Sequence, residues 1–346
     1  MTNLTRRSFG LSALAVAATG LARPAFAAAA PPLARVICDN DWSGDPDGLF
    51  QLAQHLLSPS IDVPLIVGSH LPGGWGSATS ASDAVAEAHE LLHVMRREGS
   101  VPVVAGSELA IAARDAWQAS PATAAIVAEA MREDAAGPLV YCAGASLTEL
   151  ALAWLAEPRI GPRLRLVWIG GNEHPGLALP PPDRDPLEFN FSLDVIAAQV
   201  VFNESDIEVW QVPRDVYRQM MVSSAELAEL AASGPLGSYL TGKVNGIEEA
   251  LRTLMPNRTF PRNETYALGD SPLVTLSALH SFFNADPASS SYDLRPTPRL
   301  EADGSYTPNP QGRPMRVYTR IDTRLTFADM LAKFRAEDRR LATLAP

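Results

Sequence analysis

The sequence predicts an α/β protein with a largely parallel, doubly wound sheet that carries helices on both faces. Short apolar runs recur along the chain, at residues 34–38, 63–67, 101–105, 139–143, 164–169 and 207–212. Segments with helical periodicity lie between most of these runs. The runs are apolar at consecutive rather than alternating positions, which is typical of parallel strands that are covered on both faces.

The N-terminus has the layout of an export signal and not of a folded element. A pair of arginines at 6–7 precedes a largely apolar run at 11–22, and small residues surround a cleavage point after Ala27. Residues 1–27 therefore predict a twin-arginine signal peptide and a periplasmic or secreted protein. The apolar run is too short to span a bilayer, so we expect no membrane contact after cleavage. Residues 33–346 are then expected to form a single domain.

Helical patterns fill the intervals between the predicted strands. Apolar side chains share one helical face in two early segments: Leu49, Leu52, Leu56 and Leu57, then Val85, Ala88, Leu92 and Met95. Ser146 and Glu149 form a capping-box pattern before a third helix. Residues 286–314, rich in proline, glycine and serine, predict a surface excursion. The remaining predicted elements are helices at 192–202 and 273–282, a strand at 316–322 and a closing helix at 327–342.

The charge of the chain bears on its binding partners, and the position of its cysteines bears on whether they form a disulfide. The chain carries 39 acidic against 28 basic side chains, a formal net charge of -11, which argues against binding to nucleic acid. Its two cysteines, Cys38 and Cys142, each end an apolar run. An exported setting permits a disulfide between neighbouring strands, but both positions are expected to be packed inside the sheet. We therefore expect buried free thiols.

Four aspartates follow the first strand within nine residues: Asp39, Asp41, Asp45 and Asp47. Asp45 with Pro46 could serve only to start a helix, and Asp47 could interact with the helix dipole. That interpretation leaves Asp39 and Asp41 unexplained. Carboxylates crowded at a strand end raise one another's pKa, and a bound cation would remove their repulsion. Oxygen ligands alone favour a hard ion, Ca²⁺ or Mg²⁺.

Three later loops also place polar groups at a strand end or a helix start, at 143–146, 187–190 and 269–272. In open α/β sheets, ligands bind beyond the carboxyl ends of the strands, so we expect several of these loops to converge on one site.

A different pattern, His89 and His93 flanking Glu90, matches a zinc-protease motif. Both histidines lie on the flank of an apolar helical face, and no third ligand follows. The sequence therefore indicates a solvated helix flank there.

With these motifs in order, residues 34–340 resemble the calcium-dependent nucleoside hydrolases of the inosine-uridine preferring type, as a divergent exported branch. The resemblance lies mainly in Asp39-Asn40-Asp41 with Asp45 and Asp47, in Leu187-Glu188-Phe189-Asn190-Phe191 with Asp194, and in Gly269-Asp270-Ser271-Pro272-Leu273. It implies an N-glycosidase that acts on a small-molecule ribonucleoside or related riboside. Members of the family commonly assemble as dimers or tetramers, so a homo-oligomer is compatible with the resemblance.

The resemblance also implies a role for individual residues. Ca²⁺ would be held by Asp41, Asp47, Asp270 and the backbone carbonyl of Ala143. Asp41 would be the general base that acts on a water held by the ion. Asp45 would bind the ribose 2-hydroxyl. Other sugar contacts would come from His70, Glu188 and Asn190.

The first loop departs from the family pattern. Residues 42–44 replace a Pro-Gly stretch, and Pro46 separates two aspartates that are adjacent in the family. This leaves open which of Asp45 and Asp47 binds the metal and which binds the sugar.

A second departure concerns the leaving group. Gly269 stands where some members have a histidine that protonates the leaving base. Activation must come from elsewhere, such as stacking on Trp42 or Trp75, although both could simply pack under a loop. Two alternatives to a nucleoside hydrolase therefore stay open: an exported sugar- or nucleoside-binding protein without turnover, and a hydrolase of another glycoside.

Overall fold

The computed structural model describes residues 31–182, 186–254, 263–281 and 289–344. Its strands are β1 (Ala34–Asn40), β2 (Ile61–Gly68), β3 (Val103–Ala105), β4 (Leu139–Ala143), β5 (Leu164–Ile169), β6 (Glu208–Val212), β7 (Met221–Ser223), β8 (Thr265–Ala267), β9 (Ser291–Pro296), β10 (Arg299–Leu300), β11 (Tyr306–Thr307) and β12 (Pro314–Arg320). The predicted signal peptide at 1–27 lies outside the described residues.

The helices are α1 (Asp47–Leu56), α2 (Ser80–Val94), α3 (Pro121–Ala130), α4 (Thr148–Ala156), α5 (Phe189–Leu193), α6 (Val195–Gln199), α7 (Arg214–Tyr217), α8 (Ser224–Ala231), α9 (Pro235–Leu254), α10 (Pro272–Ser277) and α11 (Thr323–Thr343). A 3₁₀ turn at Pro158–Arg163 leads into β5, and a π-helical turn at Val200–Glu204 follows α6. In the described part of the chain, no helix combines the length and apolar character needed to cross a membrane.

Among the described residues, eight strands form the central sheet, in the order β3-β2-β1-β4-β5-β6-β12-β9. Every neighbouring pair is parallel except β12 and β9, so β9 is an antiparallel edge. All six early strands and the late strand predicted from apolar runs are present, and α11 contains the predicted closing helix. The prediction of a largely parallel α/β sheet is confirmed.

Continuous burial of the strands follows from two cores on opposite faces of the sheet. All seven residues of β1 are buried. Val36 and Cys38 enter one core, with helices α1, α2, α9, α10 and α11. Ile37 enters the other core, with α3, α4 and α6. Because neighbouring side chains of a strand point to opposite faces, both must be apolar when helices cover both faces. This explains why the runs do not alternate.

The strand order reverses between β1 and β4, because the chain runs outward through β2 and β3 before β4 returns to the other side of β1. Such a reversal opens a crevice at the carboxyl ends of the two strands. Within the pair, Asp39 is in register with Ala143 and Cys38 with Cys142. Both cysteines are buried and free, as predicted, although they are direct neighbours across the sheet.

Three segments differ from the prediction. The excursion at 286–314 contains β9 of the main sheet and the β10–β11 hairpin. Strand β9 was not recognisable because its side chains are mostly exposed and polar, so it has no apolar run. The helix predicted at 192–202 is divided, because Asp194 ends α5 and caps α6 by accepting from the Ala197 N–H at 2.9 Å. Helix α10 ends at Ser277, earlier than expected.

The predicted capping box before α4 is wrong. Leu147 occupies the N-cap position, and no side chain caps the helix. Ser146 Oγ instead lies 2.9 Å from Thr148 Oγ1. Glu149 turns toward the preceding loops, where it accepts from the Ser107 N–H at 2.8 Å and from the Ser120 hydroxyl. The acid is used to connect two loops and not to begin the helix.

Candidate active site

Four aspartates from two distant segments meet at the carboxyl end of β1. Asp41 follows β1 directly, Asp45 and Asp47 stand at the start of α1, and Asp270 precedes α10. Burial is the largest cause that raises the pKa of each carboxyl. Neighbouring charges add to it, because Asp270 and Asp45 act on Asp41, and the same two act on Asp47. The pKa of Asp270 rises to about 7. Mutual shifts of this kind require closely spaced carboxylates.

Asn40 lies at the centre of this aspartate cluster (Asp41, Asp45, Asp47 and Asp270). Its Nδ2 donates to Asp270 Oδ2 at 2.6 Å, and its Oδ1 accepts from the Asp41 N–H at 2.9 Å. Sequence reasoning gave Asn40 no role, although it lies inside the Asp-Asn-Asp motif. The buried amide therefore fixes the Asp270 carboxylate against the backbone of Asp41.

The end of β4 passes directly beside the same cluster. A Cβ on Gly144 would collide with Asn40 Nδ2 and lie 2.7 Å from Asp270 Oδ2. Only glycine fits without displacing these groups. Ala143, whose carbonyl is a predicted metal ligand, is the preceding residue and is in register with Asp39. The backbone of β4 therefore reaches the carboxylates that the sequence grouped with it.

Asp45 and Asp47 face different partners. Asp45 Oδ1 accepts from the Tyr266 hydroxyl at 2.7 Å. Asp47 Oδ2 accepts from the Asp270 N–H at 3.2 Å, and its Oδ1 accepts from the Gly48 N–H at 2.8 Å. Asp47 is therefore the one that is joined to Asp270, whereas Asp45 is turned toward β8. Tyr266 is a second residue that the sequence did not indicate.

No group of three or more His, Cys, Asp or Glu side chains within the described ranges has an arrangement that could hold a metal ion. Hydrogen bonds from Asn40 and from the Asp270 N–H occupy the carboxylates that a cation would need. The chemistry of the donor set nevertheless fits a hard cation, because it consists of carboxylate oxygens that are buried in Asp41 and Asp270 and half-buried in Asp47, and burial together with neighbouring carboxylates raises the pKa of each.

The histidines of the zinc-protease pattern lie at the surface. His89 and His93 lie exposed on α2, and His93 Nδ1 lies 2.7 Å from Glu98 Oε1 at the surface. This agrees with the interpretation of a solvated helix flank.

Asp39 is not a member of the cluster, because both of its carboxylate oxygens accept hydrogen bonds from hydroxyl groups. Its carboxylate accepts from the Ser69 and Tyr141 hydroxyls, both at 2.5 Å. Burial raises its pKa to about 7, and the two hydroxyls oppose this rise. Since the carboxylate is enclosed by these two hydroxyls, Asp39 holds the ends of β1, β2 and β4 together.

Glu188 and Asn190 fasten the start of α5 to the strand ends. Glu188 is fully buried and accepts from the Tyr217 hydroxyl at 2.7 Å and from three backbone N–H groups. Asn190 Nδ2 donates to the carbonyls of Gly144 and Ile169, both at 2.8 Å. The charge of Glu188 contributes to the raised pKa of Asp270. The predicted sugar-binding segment therefore adjoins the aspartate cluster.

His70 lies just beyond β2, on the side of Leu193 and Asp194. Burial lowers its pKa, while Asp194 and the backbone of Leu193 act in the opposite direction. Its Nδ1 is buried and has no hydrogen-bond partner among the described residues. The ring is thus a buried, neutral imidazole, and its contact with a sugar stays a prediction.

The two tryptophans considered for stacking differ in exposure. Trp42 is 1% exposed and its Nε1 donates to the Val67 carbonyl at 2.9 Å, so it packs under the first loop and cannot stack on a ligand. Trp75 is 59% exposed, and its ring meets that of Phe189 edge to face at 5.6 Å. Phe189 lies between Glu188 and Asn190 and is 39% exposed. An open aromatic pair therefore stands next to the predicted sugar-binding residues.

Comparison with known proteins agrees with this geometry. The profile of the inosine-uridine preferring nucleoside hydrolases matches residues 36–280. A purine-preferring ribonucleoside hydrolase from Gardnerella vaginalis has a similar structure, with 18% identity, a TM-score of 0.66, and coverage of 88% of this chain and 99% of that chain. A plant nucleoside hydrolase has 18% identity and a TM-score of 0.65, over 88% and 100% of the two chains.

An inosine-uridine preferring nucleoside hydrolase from Bacillus anthracis has 16% identity and a TM-score of 0.59, over 88% of this chain and 99% of that chain. The comparison with curated proteins finds no match. At these identities the solved structures show a shared fold. The family profile goes further, because it spans most of the chain from β1 to the residues after α10 and includes every aspartate of the cluster. The chain therefore belongs to the inosine-uridine preferring nucleoside hydrolase family and is a hydrolase of N-glycosidic bonds.

Proposed function

We propose that this enzyme cleaves the N-glycosidic bond of ribonucleosides, or of a related riboside, with Ca²⁺ in the aspartate cluster and Asp41 as general base. The observation that carries the proposal is the meeting of Asp41, Asp47 and Asp270 at the switch point of the sheet, where Asp47 accepts from the Asp270 N–H at 3.2 Å and where burial, with the charge of Asp270, raises the pKa of Asp41 and Asp47. Isolated buried carboxylates are costly, so a site that collects several of them is suited to a cation.

Three carboxylates and one backbone carbonyl would bind the ion. Asp41, Asp47 and Asp270 would be its carboxylate ligands, with the Ala143 carbonyl as a further oxygen. Asp47 is favoured over Asp45 because the Asp270 N–H joins it to the cluster. When bound, Ca²⁺ would supply positive charge that favours deprotonation of a water.

The chain's own groups account for the remaining steps. Asp41 takes a proton from the attacking water, as a positioned carboxylate can do. Asp45 is held by Tyr266 and would bind the ribose 2-hydroxyl. As the N-glycosidic bond breaks, its electron pair leaves with the base and the sugar carbon becomes oxocarbenium-like until the water oxygen bonds to it, and the surrounding carboxylates stabilise that positive charge.

Activation of the leaving base is assigned to the aromatic pair of Trp75 and Phe189, because position 269 offers no acid. A planar base can stack on either exposed ring. The proposal thereby favours an aromatic leaving group over an alkyl glycoside. A hydrolase of another glycoside is the second candidate, favoured by the altered first loop around Pro46.

Residues 33–346 are proposed to act as one domain after export through the twin-arginine route to the periplasm or the medium. The support for export is the order of paired arginines, apolar run and cleavage point in residues 1–27.

The test is hydrolysis of inosine, uridine and an aryl riboside by the purified chain, with Ca²⁺ and with a chelator. We expect release of free ribose that stops on chelation and returns with Ca²⁺. Binding of nucleosides without any release of ribose would instead indicate a non-catalytic binder. Activity confined to other glycosides would support the second candidate.

A further inference from the structure

The predicted sugar ligand Glu188 has little capacity left for a sugar. Its Oε1 accepts from the Tyr217 hydroxyl at 2.7 Å and the Asn190 N–H at 3.1 Å. Its Oε2 accepts from the Gly171 N–H at 2.7 Å and the Phe191 N–H at 2.9 Å. A carboxylate offers about four lone-pair sites, and the side chain is fully buried. A sugar hydroxyl would have to displace one of these donors to reach it.

Tyr217 stands between Glu188 and the aspartate cluster and is only partly buried. A Cβ on Gly269 would lie 3.3 Å from Tyr217 Cδ2 and 3.2 Å from Asp47 Oδ2. The ring therefore lies against the residue before Asp270, where a larger side chain at position 269 would begin.

The hydroxyl of Tyr217 is suited to accept a hydrogen bond. It donates its proton to Glu188 and so keeps oxygen lone pairs for another donor. Donation to a carboxylate polarises the O–H group, and polarised hydroxyls accept more strongly. A ribose hydroxyl beside the aspartate cluster is a donor of the required kind.

We infer that Tyr217, and not Glu188, makes the direct contact with a sugar hydroxyl, and that Glu188 is a positioning residue that fixes the Tyr217 hydroxyl. This inference rests on the proposed function. It adds a residue from α7 to the sugar site, and it explains why glycine at 269 is compatible with that site, since the tyrosine ring occupies the adjoining space.

The experiment compares the wild type with Tyr217→Phe on uridine and its 2′-, 3′- and 5′-deoxy analogues. Phenylalanine keeps the ring and removes only the hydroxyl. In the wild type, one analogue should lose about tenfold in kcat/KM relative to uridine, chiefly through KM. Tyr217→Phe should have a kcat/KM for uridine that is about tenfold below that of the wild type. For this variant, the kcat/KM of the same analogue should equal that of uridine.

Tyr239→Phe is the matched control, because the Tyr239 hydroxyl also contacts a glutamate, Glu87, at 3.3 Å but lies on α9. It should leave all four substrates unchanged, and thermal melting should show both variants folded. If Tyr217→Phe keeps the wild-type penalty for every analogue, the hydroxyl is not the contact and the inference is overturned while the proposed function stands. If the wild type neither binds nor cleaves any of the four, both are overturned.

Discussion

Asn40 Nδ2 donates to Asp270 Oδ2 at 2.6 Å, and the two residues are 230 positions apart in the chain. This bond joins the end of the first strand to the start of α10 in the middle of the aspartate cluster. Because Asp41 and Asp270 belong to segments joined only by folding, the cluster cannot exist in any isolated part of the chain. Site formation is thus tied to the docking of α10 on the sheet.

Replacing Asp41 by Asn should lower kcat by at least about 10²–10⁴-fold, because the water loses its base. The apparent affinity for Ca²⁺ should fall as well, since a carboxylate ligand becomes neutral. Kinetics at several Ca²⁺ concentrations measure both. Asp62→Asn, an exposed aspartate on β2, is the control and should behave as the wild type. An active Asp41→Asn enzyme would exclude Asp41 as the base.

Substitution of Asp45 and substitution of Asp47 should change different kinetic properties. Asp47→Asn is expected to raise the Ca²⁺ concentration needed for half-maximal activity, because Asp47 is joined to Asp270. Asp45→Asn is expected mainly to raise KM for ribonucleosides and to matter less for 2′-deoxy analogues. Calcium titrations and KM values on both variants provide the test. The opposite pattern would assign the metal to Asp45.

The carboxyls of Asp39 and Asp270 should each lower the stability of the protein without Ca²⁺ as the pH rises from about 4 to about 7, and should add no further loss above that. The pKa values of Asp39 and Asp270 are each raised to about 7 in the folded protein, against about 3.9 when unfolded. In that window the folded state holds more protons than the unfolded state, so the free energy of unfolding decreases with pH.

Ca²⁺ should oppose this loss, because it favours the ionised carboxylates. Its effect on Tm should be small near pH 4 and largest at neutral pH, which melting curves with and without Ca²⁺ will show. A shift of the same size at every pH would contradict the cluster as the binding site.

Gly144→Ala should reduce both stability and Ca²⁺ affinity, because the new methyl group would overlap Asn40 and crowd Asp270. Overpacking of this kind costs about 1–3 kcal/mol. Gly242→Ala on α9 is the matched control, since its Cβ would meet open space, and it should stabilise the helix by up to about 1 kcal/mol. Denaturant unfolding measures both. Equal stability of the two variants would contradict the close approach at Gly144.

Replacing the arginine pair at 6–7 by lysines should retain the chain in the cytoplasm, because the twin-arginine route reads that pair. Cell fractionation with an antibody against the mature protein tests this. Unchanged export would indicate another route.

Much of the site could be predicted because its parts are local. Asp39 to Asp47 lie within nine residues, from the end of β1 to the start of α1, and the strand-end rule placed this segment, the end of β4 and the loop before α10 on one side of the sheet. The aspartates did meet there. The apolar runs predicted the strands because burial on both faces leaves a local signal.

The residues that sequence reasoning missed act through long-range contacts. Tyr217 and Tyr266 are ordinary tyrosines in the sequence, and only the fold places their hydroxyls on Glu188 and Asp45. Strand β9 has no apolar run, because pairing with β12 and not burial keeps it in place. The exposure of Trp75 and the burial of Trp42 depended likewise on tertiary packing.

The two edge strands of the central sheet disfavour self-association through strand pairing. One margin is β3, only three residues long, and the other is β9, which carries Asp293, Arg295 and Pro296. Short strands, charges and proline all discourage a second chain from adding its own strand. Copies of this enzyme should therefore resist joining through continuous β-sheet, so any specific pairing between them must use helices or loops.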